Sequence, residues 1–371
     1  MARNVGMPGR TAASAVPVGR GRTLAQVYRR FGEVDAAATS PLYERVAVAL
    51  SESDEALRAI AAAPARKRHP TMILAALHDL ALAGRAPALA AAYAAADADA
   101  AAGAAIQTLL RMTDAVVAIA VRRRMRAIET GHCAVLYPAL AEAARRVGAQ
   151  AVGLIDVGCS AGLNLNVDRV GLTYSNGQSL GDPSSPVQLS ASIVGDRPLP
   201  TRALPEVVAR VGVDRDPVDV TDPDEVRWLR ACLWPDQPER VARLDAEVAL
   251  AATAPPLLLR GDAVEVLPDA VARVPVEALP VVITTWALSQ FPLQSRLRFL
   301  HRLDGAAAGR AVAWVSAEGV GVAPTIPTLG DRRASGHSII GLAVFDRATL
   351  HAEAVGRCWS QGRLLAWLAD S

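Results

Sequence analysis

Two kinds of hydrophobic spacing divide the chain. Between residues 23 and 148 apolar positions recur every three or four residues. Leu24, Val27, Tyr28 and Phe31 fall on one helical face, and Met72, Ile73, Leu74, Leu77, Leu80 and Leu82 continue the pattern after Pro70. Ser40-Pro41 reads as a helix start, with Ser as the cap and Pro in the first turn. The spacing predicts one long helix through 106–128, with Leu109, Leu110, Met112, Val116, Val117 and Ala120 turned inward. It predicts another over 137–147, leading to Gly148. No β-branched run of strand type precedes Val152.

From Val152 onward, short apolar runs alternate with helical spacing. Strands are predicted over 152–157, 207–213, 257–259, 281–285 and 311–317, with helices at 223–232, 238–252 and 293–303. Strands separated by helices imply an α/β fold with a doubly wound, mostly parallel sheet. Beyond them 338–345, 350–357 and 363–368 read as a C-terminal strand meander, with Ser360-Gln361-Gly362 as one turn. The Gly/Pro/Ser-rich stretch 171–200 reads as an insertion carrying a short strand pair. The expected organisation is a tail at 1–22, a helical domain at 23–148 and the α/β domain at 149–371.

The first strand of the second part ends in Asp156-Val157-Gly158-Cys159-Ser160-Ala161-Gly162. Glycines let a backbone approach a ligand closely, and amides at the start of a helical turn favour negative charge. A tight strand-to-helix turn without a ligand produces the same pattern. Asn164 and Asn166 follow the loop, as substrate contacts or as helix caps. Asp182, before Pro183, reads as the start of a turn on the insertion, which can cover the site. Glu318, ending the fifth strand, and His337, in the loop after it, are the candidates for a catalytic base. His132 reads as a capping or surface histidine, and Asp168-Arg169 as an ordinary surface pair.

At this point the chain resembles the class I S-adenosylmethionine-dependent methyltransferases. Their first motif is an acidic residue, a spacer and Gly-x-Gly-x-Gly, with the middle Gly often replaced by Ser. Gly212-Val213-Asp214-Arg215-Asp216 is similar to the end of that family's second strand, where a carboxylate holds the ribose hydroxyls. A carboxylate suits a diol because it accepts two hydrogen bonds. Arg260-Gly261-Asp262-Ala263 is similar to the third-strand end, where the Asp receives the adenine amino group. The run from Val281 to Trp286-Ala287-Leu288-Ser289-Gln290 is similar to the fourth strand and the turn lining the methyl-transfer site. The resemblance covers residues from about 150 to 318. It implies a methyltransferase-type sheet with S-adenosylmethionine held by Asp156, Gly158, Ser160, Gly162, Asp214, Asp262, Ala263 and Trp286. A small-molecule methyl acceptor would lie near Asn164, Asn166, Asp182 and Gln290, with no metal.

Two departures stand out. The first and second motifs are about 50 residues apart, against ~20 in a nucleotide-binding βαβ unit. The insertion accounts for the excess but leaves the ribose partner open among Asp214, Asp216 and Asp168. Pro280 stands where an acidic residue often precedes the fourth strand. More narrowly, Gly158-Cys159-Ser160-Ala161-Gly162-Leu163-Asn164-Leu165-Asn166, followed by Gly181-Asp182-Pro183-Ser184-Ser185-Pro186-Val187, resembles an uncharacterised bacterial family.

Three other readings share these residues. Gly158 to Gly162 also satisfies Gly-x-Ser-x-Gly, the nucleophile elbow of α/β serine hydrolases, with Ser160 as nucleophile and Asp304 followed by His337 or His351. A nicotinamide-dependent oxidoreductase needs Gly-x-Gly-x-x-Gly, a spacing absent here. A methyltransferase-like protein that binds a ligand without turnover is the third. The absence of an obvious triad is compatible with methyl transfer, because the sulfonium already activates the methyl group and the protein has mainly to align donor and acceptor.

Composition narrows partners more than chemistry. A net charge of +2, from 39 basic and 37 acidic residues, gives no case for nucleic acid or an anionic membrane. The Arg-rich stretches 66–69 and 122–126 read as solvated helix faces. Four cysteines without a CxxC pair argue against structural zinc and a disulfide framework, and fit a reducing cytoplasm.

Overall fold

The structure, a computed structural model, describes residues 22–126, 128, 131–347 and 349–369. Most of the expected tail, residues 1–21, lies outside the described residues. The described chain forms two compact units, 22–128 with 222–245 and 131–221 with 246–369. The composition step near Gly148 therefore marks the first strand and not the division between units. Helix Cys133–Val147 belongs with the sheet, and the segment 222–245 belongs with the N-terminal helices.

In the helical unit, Ser40 caps Pro41–Glu52 by accepting the Tyr43 N–H at 3.0 Å. The Ser40 hydroxyl also donates to Asp236 at 2.7 Å, and Trp228 Nε1 donates to the Arg124 carbonyl at 2.8 Å. These bonds hold 222–245 in the unit, where Trp228 joins a core with Tyr28, Leu50 and Leu77. The long helix expected over 106–128 is two helices, Ala98–Arg111 and Thr113–Arg122, bent by 89°. Met112 leaves helical geometry (φ −127°, ψ 31°), and the Thr113 hydroxyl donates to the Leu109 carbonyl at 2.8 Å, taking an acceptor of the helix ladder. Arg123 is not on a solvated face: it is buried beside Trp228 and paired with Glu225. Among the described residues no single helix is long and apolar enough to cross a membrane.

The other unit is built on an 11-stranded sheet. Its strands are β1 Ala151–Val157, β2 Gly171–Tyr174, β3 Ser179–Gly181, β4 Gln188–Ile193, β5 Glu206–Asp214, β6 Leu257–Arg260, β7 Leu279–Thr285, β8 Val312–Gly319, β9 Ser338–Asp346, β10 Thr349–Trp359 and β11 Leu364–Trp367. The spatial order is β3-β2-β4-β11-β10-β9-β8-β7-β1-β5-β6. Strands β6, β5, β1, β7 and β8 are mutually parallel, and β9, β10 and β11 follow as an antiparallel meander. The insertion forms the expected strand pair, β2–β3, which is antiparallel, and adds β4, which pairs in parallel with β11 and joins the pair to the main sheet.

The central strands β1, β7 and β8 are apolar for most of their length because both faces are covered, and their polar residues fall toward their carboxyl ends. Val152 and Leu154 of β1, with Val281 and Ile283 of β7, pack on helix Cys133–Val147. Ile155 and Val157 pack on the other face, with Leu267 and Phe299 of helices Ala263–Ala272 and Leu293–Ala306. Pro138 lies inside helix Cys133–Val147 and cannot donate to the carbonyl of Ala134. The Tyr174 hydroxyl of β2 donates to that carbonyl instead, at 2.8 Å. At the end of Ala263–Ala272, Arg310 donates to the carbonyls of Val271, Val274 and Pro275 at 2.6–3.1 Å, where a cation is favoured by the helix dipole.

Candidate functional site

The carboxyl ends of β1, β5, β6, β7 and β8 share one edge. The chain proceeds outward from β1 through β5 and β6, then returns to the other side of β1 as β7 and β8. The reversal between β1 and β7 is a topological switch point, the position at which ligands of open α/β sheets bind.

The loop leaving β1 has three left-handed residues in five positions: Gly158 (φ 77°), Ser160 (φ 50°) and Gly162 (φ 69°). A Cβ on Gly158 would stand 2.9 Å from that of Ala287, so this glycine is required by the protein's own packing as well as by its backbone angle. The loop is tied to β5. The N–H of Gly158 donates to the Val213 carbonyl at 2.8 Å. One Asp214 oxygen accepts the Ser160 N–H at 3.0 Å, and the other accepts the Asp216 N–H at 2.8 Å. Asp214 therefore shapes the loop directly, and Cys159 fills the space that a side chain on Gly212 would take.

By alternation along β1, Asp156 faces the same side as Leu154, toward helix Cys133–Val147. It is 1% exposed. Asn164, in the 3-10 segment Leu163–Arg169, donates to Asp156 Oδ2 at 3.2 Å and stands 3.3 Å from Thr285 Oγ1. A single amide thus spans the switch point from β1 to β7. Asp156 Oδ1 is buried without a hydrogen-bond partner. Burial pushes this carboxyl up to about 7, the Asn164 bond opposing and Asp214 adding to the rise.

Trp286 follows β7 in a left-handed conformation (φ 53°), its indole N–H donating to Ser338 Oγ at 2.8 Å. His132 lies against it, ring centroids 4.7 Å apart. His132 Nε2 is buried without a partner, and burial pushes the imidazole down to about 4, so it is neutral at physiological pH. His132 holds the N-cap position of helix Cys133–Val147, as its place in the sequence suggests, but its side chain makes no capping bond; that position carries no sign of the ring contact with Trp286, 154 positions away.

The other candidates are placed as follows. Asp262 is the cap of Ala263–Ala272, accepting the Val264 N–H at 3.0 Å, and pairs with Arg215. Ala263 packs into the core below. Asp216 pairs with Arg260 at 2.8 Å. Asp168 is bound by both terminal nitrogens of Arg210 at 2.7 Å, and Asn166 accepts from Arg169 at 2.9 Å. Gln290 is exposed on the turn Leu288–Gln290. Glu318 is buried and accepts the Leu288 N–H at 3.0 Å, holding that turn; burial pushes it up to about 7. His337 sits apart with Asp331 and Arg357. Asp182 accepts the N–H of Ser184 at 2.8 Å in the loop after β3. Through the registers of β2, β4 and β11, this end of the insertion extends past the edge: β4 meets Leu364 only at Ser192, four residues after its start, about 13 Å of strand. Among the described residues no histidine is hydrogen-bonded to Ser160, so the base required by a nucleophile elbow is not at its hydroxyl.

The fold is thus mixed α/β, with Asp156, Asn164 and Thr285 brought together at the switch-point edge. The chain belongs to a bacterial family described as "Uncharacterized protein conserved in bacteria (DUF2332)", whose model matches residues 25–367. Neither the curated proteins nor the solved structures give a match.

Proposed function

We propose that the carboxyl edge between β1 and β7 binds S-adenosylmethionine and that the protein transfers its methyl group to a small molecule. The observation that carries this reading is the Asp156–Asn164–Thr285 bridge across the switch point, with the unpartnered, buried Asp156 Oδ1 beside it. A buried acceptor without a donor costs free energy unless a ligand supplies one. The α-ammonium group of the cofactor's methionyl part fits that need. Each Asp214 oxygen already takes one backbone amide, and a carboxylate oxygen has room for a second donor. The ribose hydroxyls therefore fit the β5 end. Asp262 remains about one-third exposed beside Arg215, open to the adenine amino group.

The cofactor supplies a methyl group already activated on a sulfonium. The chain's residues then have to orient and to exclude water. In this reading Asn164 fixes the edge between β1 and β7, and the Trp286 ring forms an apolar wall. The neutral His132 beside that wall holds the hydroxyl or amine of the acceptor through Nε2. The β2–β3 end of the insertion, projecting past the edge, limits the size of the acceptor.

A product screen with methyl-labelled S-adenosylmethionine tests the reading, preceded by titration with S-adenosylmethionine, S-adenosylhomocysteine and NAD. Transfer of label to a small molecule is the expected result. Binding of the adenosyl ligands without turnover across the screen would favour a non-catalytic binding protein. NAD binding alone, or labelling of Ser160 by a fluorophosphonate, would overturn the assignment.

A further inference from the structure

The mechanism above leaves a second constellation unused. The loop between β8 and β9 carries Asp331, whose carboxylate accepts Nε and Nη2 of Arg357 at 2.7 and 3.1 Å and meets His337 Nε2 at 2.9 Å. The Arg357 guanidinium, with His337, holds the Asp331 carboxyl below the usual carboxylate range. The His337 ring lies 5.5 Å from that of Trp359. Arg357 and Trp359 alternate along β10 with Cys358, which packs toward helix Cys133–Val147. The constellation is therefore on the opposite face of the sheet from Asp156 and His132.

A cavity of about 570 Å³ opens there, lined by Arg197, Asp331, His337, Arg357, Trp359 and Ala366 among others. That volume falls in the range of small-molecule sites. The lining is asymmetric in its remaining hydrogen-bonding capacity. Asp331 already takes three donors, whereas Arg357 commits only Nε and Nη2 and keeps Nη1 without a partner among the described residues. A guanidinium fixed by a carboxylate on one edge is pre-oriented to receive an anion on another. Arg197 and Arg357 stand with Asp196 and Asp331 in the same lining, so the site has no excess positive charge for a polyanion, and the open edge of Arg357 takes one carboxylate at most. Trp359 and Ala366 supply apolar lining.

We propose that this cavity is a binding site for a small organic monocarboxylate with a planar, apolar body, its carboxylate on Arg357 and its body against Trp359. The site is independent of the S-adenosylmethionine reading and stands or falls separately.

The test uses the full chain with ¹⁵N-labelled indoles, the Trp359 resonance being assigned from Trp359→Phe. Benzoate, inorganic phosphate and benzylamine are titrated in turn. Benzoate is expected to shift the Trp359 indole resonance saturably. The apparent Kd should rise at least about tenfold in Arg357→Gln, the loss of a charge-assisted bond. Arg357→Lys keeps a cation beside Asp331 and guards against simple unfolding. It should bind benzoate between the parent and the Gln form, because the planar fork is lost. No saturable shift with benzoate, an unchanged Kd in both Arg357 variants, or an equal response to benzylamine would overturn the site. Phosphate binding tighter than benzoate would overturn the monocarboxylate class.

Discussion

Neutralising Asp156 should flatten the pH dependence of stability. The carboxyl titrates near 3.8 when free and is pushed up to about 7 by burial in the fold. Between those values the folded protein holds a proton that the unfolded chain has released. Stability therefore falls as pH rises through this window, the opposite of a salt-bridged carboxylate. With these two values the loss between about pH 5 and pH 8 is about 2–3 kcal/mol. Glu318, raised from 4.5 to about 7, acts in the same direction, but equally in parent and variant. Asp156→Asn keeps the shape and removes the titration. It leaves an amide N–H₂ where a buried oxygen lacked a partner, a cost that does not vary with pH. Urea unfolding followed by tryptophan fluorescence reads the difference, since Trp286, Trp314, Trp359 and Trp367 lie in the sheet unit. The variant is expected to lose about 2–3 kcal/mol less than the parent across the range. Parallel pH profiles for the two proteins would refute the assignment of a buried, high-pKa carboxyl to this position.

Three other outcomes follow from particular contacts. Ser160→Gly relieves a left-handed serine, a gain of roughly 1–2 kcal/mol, against roughly 0.5–1 for added chain freedom. Thermal unfolding should show little net change, and S-adenosylhomocysteine affinity should persist. Asp262→Asn should leave apo stability nearly unchanged, because Asn also caps helices, while Asp262→Ala should cost about 1 kcal/mol; if Asp262 receives the adenine amino group, both variants weaken cofactor binding in a titration, and unchanged affinity makes it a cap alone. Gly153→Ala should lower the melting temperature, since its Cβ would stand 2.3 Å from Val274 Cγ1 in a packed layer, an overpacking cost of about 1–3 kcal/mol. An unchanged melting temperature would show that Val274 can move aside.

Much of the sheet was legible because its strands are short apolar runs between helical repeats. Strands β1 and β5 to β11 lie where the spacing predicted them, and helices Pro223–Ala231, Pro238–Ala252 and Leu293–Ala306 form between the expected strands. What depended on distant partners was not legible. The break at Met112 lies in a stretch whose apolar spacing runs on through it, so periodicity carried no signal of the Thr113–Leu109 bond. The pairing of β4 with β11 joins segments about 170 residues apart, and neither strand carries a mark of the other. At the site, the Asp-x-Gly-x-Ser-x-Gly spacing exposed Asp156 and the loop. The bridge through Asn164, the use of Asp214 to hold the loop, and the contact of His132 with Trp286 arise only when the elements meet. Asp262 and Ala263 show the converse: a motif position can be occupied by a helix cap and a core residue.

In the proposed function Asp156 receives the ammonium group of an adenosyl cofactor at the switch point. Calorimetric titration of S-adenosylhomocysteine into the parent and Asp156→Asn proteins tests it most directly, with unfolding curves confirming that both are folded. Saturable binding is expected for the parent, weakened at least about tenfold in the variant, as for a lost charge-assisted hydrogen bond. No binding to the parent, or equal affinity in the two proteins, would contradict it.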